Sequence, residues 1–463
     1  MLFNSYEFIL LFLPLTFLIY FILANKFEYT YAKVFLGFSS LFFYSWWNIN
    51  YLPLILLSIF FNFFIVKLFL LENKKNYNKK LFLTFGIIVN LLLLAYFKYM
   101  NFFVDNLNLF TDSNFTLPNI ILPLAISFFT FQQISYLVDS YKGYTKEYRL
   151  LDYIVFVTFF PQLIAGPIVH HKEMMPQFRD KDKKRINYEN ISKGLFIFSI
   201  GLFKKVVIAD SFSSYVSNGF DVQEKLTFLE AWITSLSYTF QLYYDFSAYS
   251  DMAIGLALLF NIKLPINFNS PYKSRNIQDF WRRWHITLSR FLKDYVYIPL
   301  GGNKVAEISM YRNLLITFFL AGIWHGAGWT FIFWGLLHAF AIIIYRIYSK
   351  LEYKMNFVLA WFLTFNFLNI TWIFFRAKDF DDAIKVLKGL LGFNGIGLSS
   401  IMYFKYIILA LIITLLITLF TKNTLEKAEN FKADYKTLLF ISFLFSVSLL
   451  YLTRVSEFLY FNF

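Results

Sequence analysis

The sequence predicts an all-α, polytopic membrane protein with transmembrane helices. Of its 463 residues, 58% are apolar and only 16% are charged, and the mean hydropathy is +0.54. Many apolar runs reach about 18 residues, the length that a helix needs to cross a bilayer. The chain contains no cysteine, which excludes disulfides, thiolate metal sites and a cysteine nucleophile.

The first apolar run, residues 8–23, is expected to remain as the first span, because it has neither a basic leading segment nor a small-residue cleavage site. Further spans are expected at residues 119–138, 195–209, 228–247, 314–329, 331–348, 357–375, 403–420 and 438–452. Proline and glycine interrupt another run, residues 153–168, which predicts a re-entrant element, since broken helices are tolerated where they line a cavity. No repeat or soluble segment divides the chain, so residues 1–463 are expected to form one membrane-embedded domain.

Lysine and arginine are concentrated in short loops, and loops rich in these residues lie on the cytoplasmic side. Residues 72–80, 170–193 and 261–312 are strongly basic, whereas residues 105–118 contain no lysine or arginine. Alternating the spans between these loops places both termini on the extracytoplasmic side. One loop, residues 376–400, disagrees, because it carries four basic residues and is assigned to the outside. The loops account for the net charge of +14, so nucleic acid is not an expected partner.

Two histidines lie in sequence contexts that suit catalysis. His325 lies in A-G-I-W-H-G-A-G-W, within an apolar run, where an ionisable side chain is either functional or hydrogen-bonded to a facing helix. His285 lies in a segment from Phe280 to Tyr295 in which aromatic and apolar residues recur at helical spacing. This spacing predicts one amphipathic helix at the cytoplasmic interface, and such a helix needs no catalytic role. Its basic, aromatic surface also suits an anionic, phosphate-bearing donor.

Trp281, Arg282, Arg283, Trp284 and Trp324, which flank these histidines in the sequence, are assigned to substrate or donor binding, as are Asp245 and Asp251 of a third motif, residues 241–255. The two aspartates lie near the end of a span, where they either pair with the arginine-rich segment or line a polar cavity. Pairing is favoured, because buried charges usually have partners. His338 is expected to pack inside the membrane, and the adjacent His170 and His171 are expected on a solvated face.

Several standard catalytic signatures are absent. The sequence contains no G-x-x-x-x-G-K-[ST] phosphate loop, no G-x-S-x-G nucleophile elbow and no H-E-x-x-H zinc helix. ATP hydrolysis, serine hydrolysis and zinc hydrolysis are therefore not expected, and no metal site is predicted.

Five motifs, taken together, resemble those of a known family. In chain order they are F-P-Q-L-I-A-G-P-I, Y-D-F-S-A-Y-S-D-M-A-I-G, Q-D-F-W-R-R-W-H-I-T-L-S, Y-I-P-L-G-G-N and G-I-W-H-G-A-G-W, all within residues 120–340. The set resembles the membrane-bound O-acyltransferases, and more narrowly the bacterial branch that includes the alginate and peptidoglycan O-acetyltransferases and the D-alanyl transfer protein of teichoic acids. The resemblance implies a ring of helices around a central tunnel, with re-entrant and interfacial helices.

By this resemblance, His325 matches the most diagnostic histidine of the family and His285 matches the second. The family pattern also implies that an acyl thioester reaches the tunnel from the cytoplasm and an acceptor hydroxyl from the opposite side. A buried imidazole stays neutral, so His325 is expected to take the proton of the hydroxyl as its oxygen attacks the thioester. His285 is expected to orient the thioester or to donate a hydrogen bond to the oxyanion.

The expected activity is that of an O-acyltransferase in the bacterial inner membrane. The resemblance implies transfer of acetyl from cytoplasmic acetyl-CoA, the acyl donor, to a cell-envelope polysaccharide through a periplasmic O-acetyltransferase partner. Peptidoglycan, at the 6-hydroxyl of muramic acid, is the favoured acceptor, with alginate acetylation and D-alanyl transfer to teichoic acid as alternatives. A transporter is the alternative from another class, since intramembrane histidines also suit permeation. The protein is expected to contact membrane lipids and to hold no bound cofactor.

The chain ends in the aromatic segment S-E-F-L-Y-F-N-F, and residues 453–463 are expected to form an extracytoplasmic tail. This segment is similar to the aromatic end of the small protein that accompanies the D-alanyl transfer system, in which a tyrosine is thought to carry the acyl group. By this resemblance Tyr460 accepts acetyl near His325 and presents it to the periplasmic partner. The alternative is an interfacial anchor, because tyrosine is enriched at membrane–water boundaries.

Overall fold

The computed structural model describes residues 1–71, 78–116, 120–145, 149–351, 353–398, 401–452 and 458–459. These residues form helices and connecting turns, and they include no strand, which confirms the all-α class. Most of the basic loop at residues 72–80 lies outside them.

The α-helices are α1 (Leu13–Lys26), α2 (Tyr29–Ser45), α3 (Leu52–Leu71), α4 (Lys79–Leu94), α5 (Met100–Thr111), α6 (Ile126–Tyr141), α7 (Leu150–Thr158), α8 (Phe160–Leu163), α9 (His171–Arg179), α10 (Tyr188–Phe203), α11 (Asp210–Ser217), α12 (Phe228–Leu259), α13 (Ile277–Trp281), α14 (Ile286–Leu292), α15 (Glu307–His325), α16 (Trp329–Tyr348), α17 (Phe357–Arg376), α18 (Phe380–Leu390), α19 (Ile401–Phe420), α20 (Thr424–Glu429) and α21 (Tyr435–Tyr451). Short π-helical segments extend several of them, namely Glu7–Phe12, Ala95–Tyr99, Lys204–Ala209, Asn218–Val222 and Lys293–Tyr297.

Within the part of the chain that the structure describes, five helices are long and apolar enough to cross a membrane. They are Glu7–Lys26, Ile49–Phe69, Lys79–Thr111, Trp329–Tyr348 and Phe357–Arg376. Helices α19 and α21 add shorter apolar segments. The run predicted as the first span lies within the first of these helices, and the chain is an integral membrane protein.

The described residues group into two compact units, residues 1–198 with 252–265, and residues 199–251 with 266–463. In the first unit α1 packs on α2, α2 on α7, and α4 on α6. The interruption predicted for residues 153–168 is present, because α7 ends at Thr158 and Phe159 has an extended ψ of 106° before the single turn of α8. Pro161, in the first turn of α8, suits a helix start. One membrane-embedded domain for residues 1–463 stays a prediction.

The first unit also corrects the placement of two histidines. His170 and His171 are 5% and 0% exposed, and His171 Nδ1 lies 3.3 Å from Asp139 Oδ2. The solvated face predicted for them is wrong. The reason is that α9 packs on α6 and α7, which covers the start of α9.

In the second unit α15 and α16 form a close hairpin, on which α17 packs in turn. The glycines at the crossing permit this approach: a Cβ on Gly322 would lie 2.5 Å from the carbonyl oxygen of Phe331, and one on Gly335 would overlap the carbonyl oxygen of Phe318. Gly322, which belongs to the motif around His325, and Gly335 on α16 therefore allow the two helices to approach closely. This hairpin fixes the position of the last residue of α15.

Candidate active site

His285 lies in a tight turn between two short helices of the second unit. Helix α13 ends at Trp281, α14 begins at Ile286, and His285 has a left-handed backbone conformation with a φ of +42°. The continuous helix predicted from Phe280 to Tyr295 is therefore wrong. The physical reason is a set of hydrogen bonds to Asn267, a residue outside the helical repeat, which a continuous helix cannot make.

Asn267 holds this turn through both its backbone and its side chain. Its carbonyl oxygen accepts the N–H of Ile286 at 2.9 Å, and its Oδ1 accepts the N–H and the hydroxyl of Thr287 at 3.2 and 2.9 Å. His285 Nδ1 lies 3.1 Å from the same Oδ1. Because a backbone N–H can only donate, this atom is the amide oxygen, so Nδ1 carries the imidazole proton and Nε2 carries the lone pair.

Burial keeps the imidazole of His285 neutral. The side chain has no exposed surface, and the rings of Phe246 and Phe268 lie with their centroids 4.7 and 6.4 Å from it. Desolvation lowers the pKa of His285 from 6.5 to about 3. In this neutral tautomer, Nε2 is able to accept a hydrogen bond but not to donate one.

His325 is the last residue of α15, and its ring lies beside that of His285. The side chain is buried, and the centroids of the two imidazoles are 6.5 Å apart. Trp324 is close to both, at 6.1 Å from His285 and 4.9 Å from His325. Trp334 and Phe375 lie 5.1 and 5.2 Å from the His325 ring. The two histidines that the sequence singled out are therefore neighbours in a buried aromatic site.

A third histidine, which the sequence assigned to packing, belongs to the same cluster. His338 on α16 is fully buried, and its Nδ1 accepts a hydrogen bond from Trp281 Nε1 at 3.2 Å. The ring of Trp334 lies 4.8 Å from His338 and 5.1 Å from His325. Sequence reasoning missed this link, although Trp334 and His338 are four residues apart and share a helix face. Trp281 thus contacts the cluster through His338.

The remaining donor-binding candidates of this segment have different environments. Trp284 is 1% exposed and packs on Trp372 with ring centroids 5.0 Å apart, so it belongs to the core beneath the turn. Arg283 Nε pairs with Asp279 Oδ1 at 2.9 Å. Arg282 is exposed. Of the two arginines, Arg282 is the one whose side chain is exposed and outside the Asp279 ion pair.

Asp245 and Asp251 are buried in ion pairs, but their partners differ from those expected. Lys205 Nζ lies 2.7 Å from Asp245 Oδ1, and Lys204 Nζ lies 2.8 Å from Asp251 Oδ2. The arginine-rich segment contributes neither bond, so the predicted partner is wrong. The reason is that the π-helical turn Lys204–Ala209 brings two adjacent lysines against α12, and a buried carboxylate is stabilised by the cation that reaches it with good geometry.

A family model, described as MBOAT, membrane-bound O-acyltransferase family, matches residues 41–378. The match covers most of the chain and includes the His285, His325 and His338 cluster. The chain belongs to the membrane-bound O-acyltransferase family. It is an O-acyltransferase, and the buried histidine pair is the candidate active site of this acyltransferase. In the ranges that the structure describes, no group of three or more His, Asp or Glu side chains is arranged to hold a metal ion.

Three relatives of this acyltransferase are informative. A peptidoglycan O-acetyltransferase of Helicobacter pylori is 49% identical, with an alignment covering 100% of this chain and 98% of the relative. A probable alginate O-acetylase of Azotobacter vinelandii is 39% identical over 87% of this chain and 80% of the relative. A teichoic acid D-alanyltransferase of Bacillus subtilis is 29% identical over 57% of this chain and 70% of the relative.

The aromatic tail of the acyltransferase is described at two residues only. Phe458 is 1% exposed, packs on Tyr249 with ring centroids 4.9 Å apart, and lies under Lys205 Nζ at 4.7 Å. The N–H of Leu459 donates to Asp245 Oδ2 at 3.0 Å. Tyr460 lies outside the described residues. The Asp245 and Lys205 pair therefore contacts the tail, a role that the sequence did not indicate.

Proposed function

We propose that this acyltransferase moves an acetyl group from cytoplasmic acetyl-CoA across the bacterial inner membrane for O-acetylation of peptidoglycan. The observation that carries the proposal is the buried His285 and His325 pair, 6.5 Å apart, in a chain aligned over its full length with a peptidoglycan O-acetyltransferase. The alginate O-acetylase and the D-alanyltransferase are less similar and are aligned over smaller shares. The proposed final acceptor is the 6-hydroxyl of muramic acid, reached through a periplasmic transferase.

His325 is proposed as the general base. A hydroxyl oxygen attacks the thioester carbonyl carbon while its proton passes to the imidazole, and the tetrahedral oxyanion then collapses with cleavage of the C–S bond. The imidazolium returns the proton to the departing sulfur, so the products are an ester and free CoA. The aromatic walls around His325 support this role, because they keep water from the reacting carbonyl.

His285 is proposed to orient a reacting group. The tautomer set by Asn267 supports an acceptor role for Nε2 toward the attacking hydroxyl or the thiol. It does not support donation to the oxyanion, because the proton lies on Nδ1 at 3.1 Å from Asn267 Oδ1. Outside this buried pair, the exposed Arg282 and its neighbour Arg283 are proposed to attract the phosphates of the donor.

Tyr460 is proposed as the first acceptor, a relay that becomes acetyl-tyrosine before the periplasmic partner takes the acetyl group. Support comes from the contacts of Phe458 and Leu459 with α12. Asp245 and Tyr249, four residues apart, contact the tail. Phe246 and Ser250, also four residues apart, contact the turn around His285, Phe246 through the imidazole and Ser250 through Asn267. The tail and the turn around His285 thus contact neighbouring residues in the same two turns of α12.

The activity is tested with the full-length chain in proteoliposomes and acetyl-CoA radiolabelled in the acetyl group. We expect free CoA and label on the protein, with His325→Gln lowering the rate by about a hundredfold or more, the usual contribution of a general base. His170→Gln, which removes an imidazole of the first unit, is the matched control and keeps the rate. Full activity of His325→Gln overturns the base assignment. Transport of intact acetyl-CoA identifies a permease instead.

The relay is tested by Tyr460→Phe, which keeps the ring and removes the oxygen. We expect loss of the labelled residue-460 peptide and of muramic acid acetylation in cells, with donor binding unchanged. Persistence of acetylated muropeptides in these cells rules out the relay. Acetylated muropeptides that persist when the gene itself is deleted rule out peptidoglycan as the acceptor, and the envelope glycan that does lose acetyl groups identifies the alternative.

A further inference from the structure

A cavity of about 320 Å³ lies in the second unit, between α10, α12, α19, α20 and α21. Its apolar wall consists of Ile200, Phe203, Ile208, Ile417, Phe440 and Leu444. Three lysines, Lys204, Lys422 and Lys427, line it as well. The cavity is therefore amphiphilic, with hydrocarbon surface and positive charge in one space of ligand size.

The positive charge of the cavity is only partly compensated. Lys204 pairs with Asp251 at 2.8 Å, and Glu426 caps the start of α20 through the N–H of Asn423 at 3.0 Å. For Lys422 and Lys427, the described residues provide no ion pair. Burial and the nearby Lys204 charge lower the pKa of Lys427. An anion placed between these lysines relieves their mutual repulsion.

The apolar part of the cavity is formed in part by two apolar helices. Ile417 lies on α19, and Phe440 and Leu444 lie on α21, the two shorter apolar helices. Exposed apolar side chains continue along the same helices, including Ile413 and Leu439 at 47% and 71% exposure. An acyl chain in the cavity can therefore extend onto the exposed apolar surface of α19 and α21.

We propose that this cavity binds an anionic membrane phospholipid, with its phosphate at Lys422, Lys427 and Lys204 and an acyl chain against α19 and α21. Basic pockets between apolar helices are a known way to hold lipid headgroups. Ser270, Thr418 and Thr421 also line the cavity. The apolar wall of Ile417, Phe440 and Leu444, rather than a lack of polar partners, favours an acyl chain over the pantetheine arm of CoA. The proposal is independent of the acyl-transfer reaction.

The charge part is tested by titrating the purified full-length chain with phosphatidylglycerol and observing bound lipid by native mass spectrometry. We expect the double variant Lys422→Gln/Lys427→Gln to bind at least about tenfold more weakly, because each lysine contributes on the order of a few-fold to the attraction. Lys432→Gln/Lys436→Gln removes two exposed charges between the end of α20 and the first turn of α21 and is expected to change binding by less than about twofold. Equal binding of phosphatidylcholine with the same chains overturns the proposal.

The role of the apolar wall is tested by Leu444→Trp, which places a larger side chain in the cavity and keeps every charge. We expect loss of phosphatidylglycerol binding, with a melting temperature close to that of the wild type as evidence that the variant folds. If that variant unfolds, dihexanoyl phosphatidylglycerol provides the second measurement, and we expect it to bind the wild type much more weakly than the long-chain lipid. Equal binding of both lipids, displacement by inorganic phosphate, or displacement by CoA overturns the proposal.

Discussion

At the scale of the residue, the feature that most distinguishes the site is the backbone of His285. A left-handed conformation costs a residue with a side chain about 1–2 kcal/mol, and such strain persists where surrounding contacts determine it. Here Asn267 provides those contacts, since it accepts hydrogen bonds from His285, Ile286 and Thr287. The strain is therefore the cost of holding the His285 imidazole in a fixed tautomer beside the ring of His325.

The lowered pKa of His285 gives a pH prediction. Between its value of about 3 in the folded protein and 6.5 in the unfolded chain, only the unfolded chain binds the proton, so stability falls as pH falls below 6.5. At pH 5 this loss is on the order of 2 kcal/mol. His285→Gln keeps an N–H group and does not titrate, so its melting temperature in detergent is expected to depend less on pH between 8 and 5. The other histidines are the same in both proteins, so identical pH dependences contradict the prediction.

The sequence singled out His325 because an imidazole in an apolar run is energetically costly and needs a functional or structural reason. It singled out His285 through the motif that resembles the family. It did not identify Asn267 or the Trp281–His338 bond, because both depend on contacts between segments that are distant in the chain. The same limit applies to Asp245 and Asp251. Their need for partners was predictable, whereas Lys205 and Lys204 were known as partners only from the packing.

At the scale of the element, the hairpin of α15 and α16 positions His325. Gly322 and Gly335 face each other across the crossing, and a Cβ on Gly322 would also lie within 3.2 Å of Ile332 Cα. Small residues at such crossings let helix backbones approach closely inside a membrane. Because His325 ends α15, any separation of the two helices moves its imidazole.

This packing predicts unequal effects of the same substitution at two glycines. Gly335→Ala forces a methyl group into the carbonyl of Phe318, so we expect a loss of about 1–3 kcal/mol from overpacking, together with reduced acyl transfer. Gly328→Ala is the matched control, because its nearest neighbour would be an ordinary contact at 3.5 Å with Phe331 and its backbone is extended. Thermal denaturation and acetyl-CoA turnover are measured for both. Equal stability of the two variants contradicts this account.

Helices were the most predictable elements, because hydropathy over about 18 residues reports the membrane directly. Their interruptions were predictable only where the sequence marks them. Proline and glycine predicted the break between α7 and α8. The local sequence contains no such signal for the break at His285, because the apolar spacing continues through the turn. Tertiary hydrogen bonds overrode the periodicity there. The burial of His170 and His171 was missed for a similar reason, since charged neighbours in a loop indicated solvent.

At the scale of the whole molecule, residues near the end of the chain contact α12 in the middle of the sequence. The N–H of Leu459 bonds to Asp245, 214 residues earlier in the sequence, and Phe458 fills a space between Tyr249 and Lys205. Lys205 also pairs with Asp210 at 2.9 Å. A buried ion pair adds little to stability by itself, so its contacts with the tail suggest why it is placed here: it positions the segment that carries the proposed relay.

Phe458→Ala separates docking of the tail from the chemistry of Tyr460. Removing this buried ring costs about 3–5 kcal/mol when the site cannot collapse, which is enough to release Phe458 and Leu459 from α12. We therefore expect the tail to become sensitive to protease in the variant and acetyl transfer to fall as far as in Tyr460→Phe, while acetyl-CoA binding is retained. Phe393→Ala removes a ring that is 74% exposed and is the control, expected to change neither measurement. A protected tail in Phe458→Ala contradicts the docking, whereas a released tail with full acetyl transfer keeps the docking and removes its link to the relay.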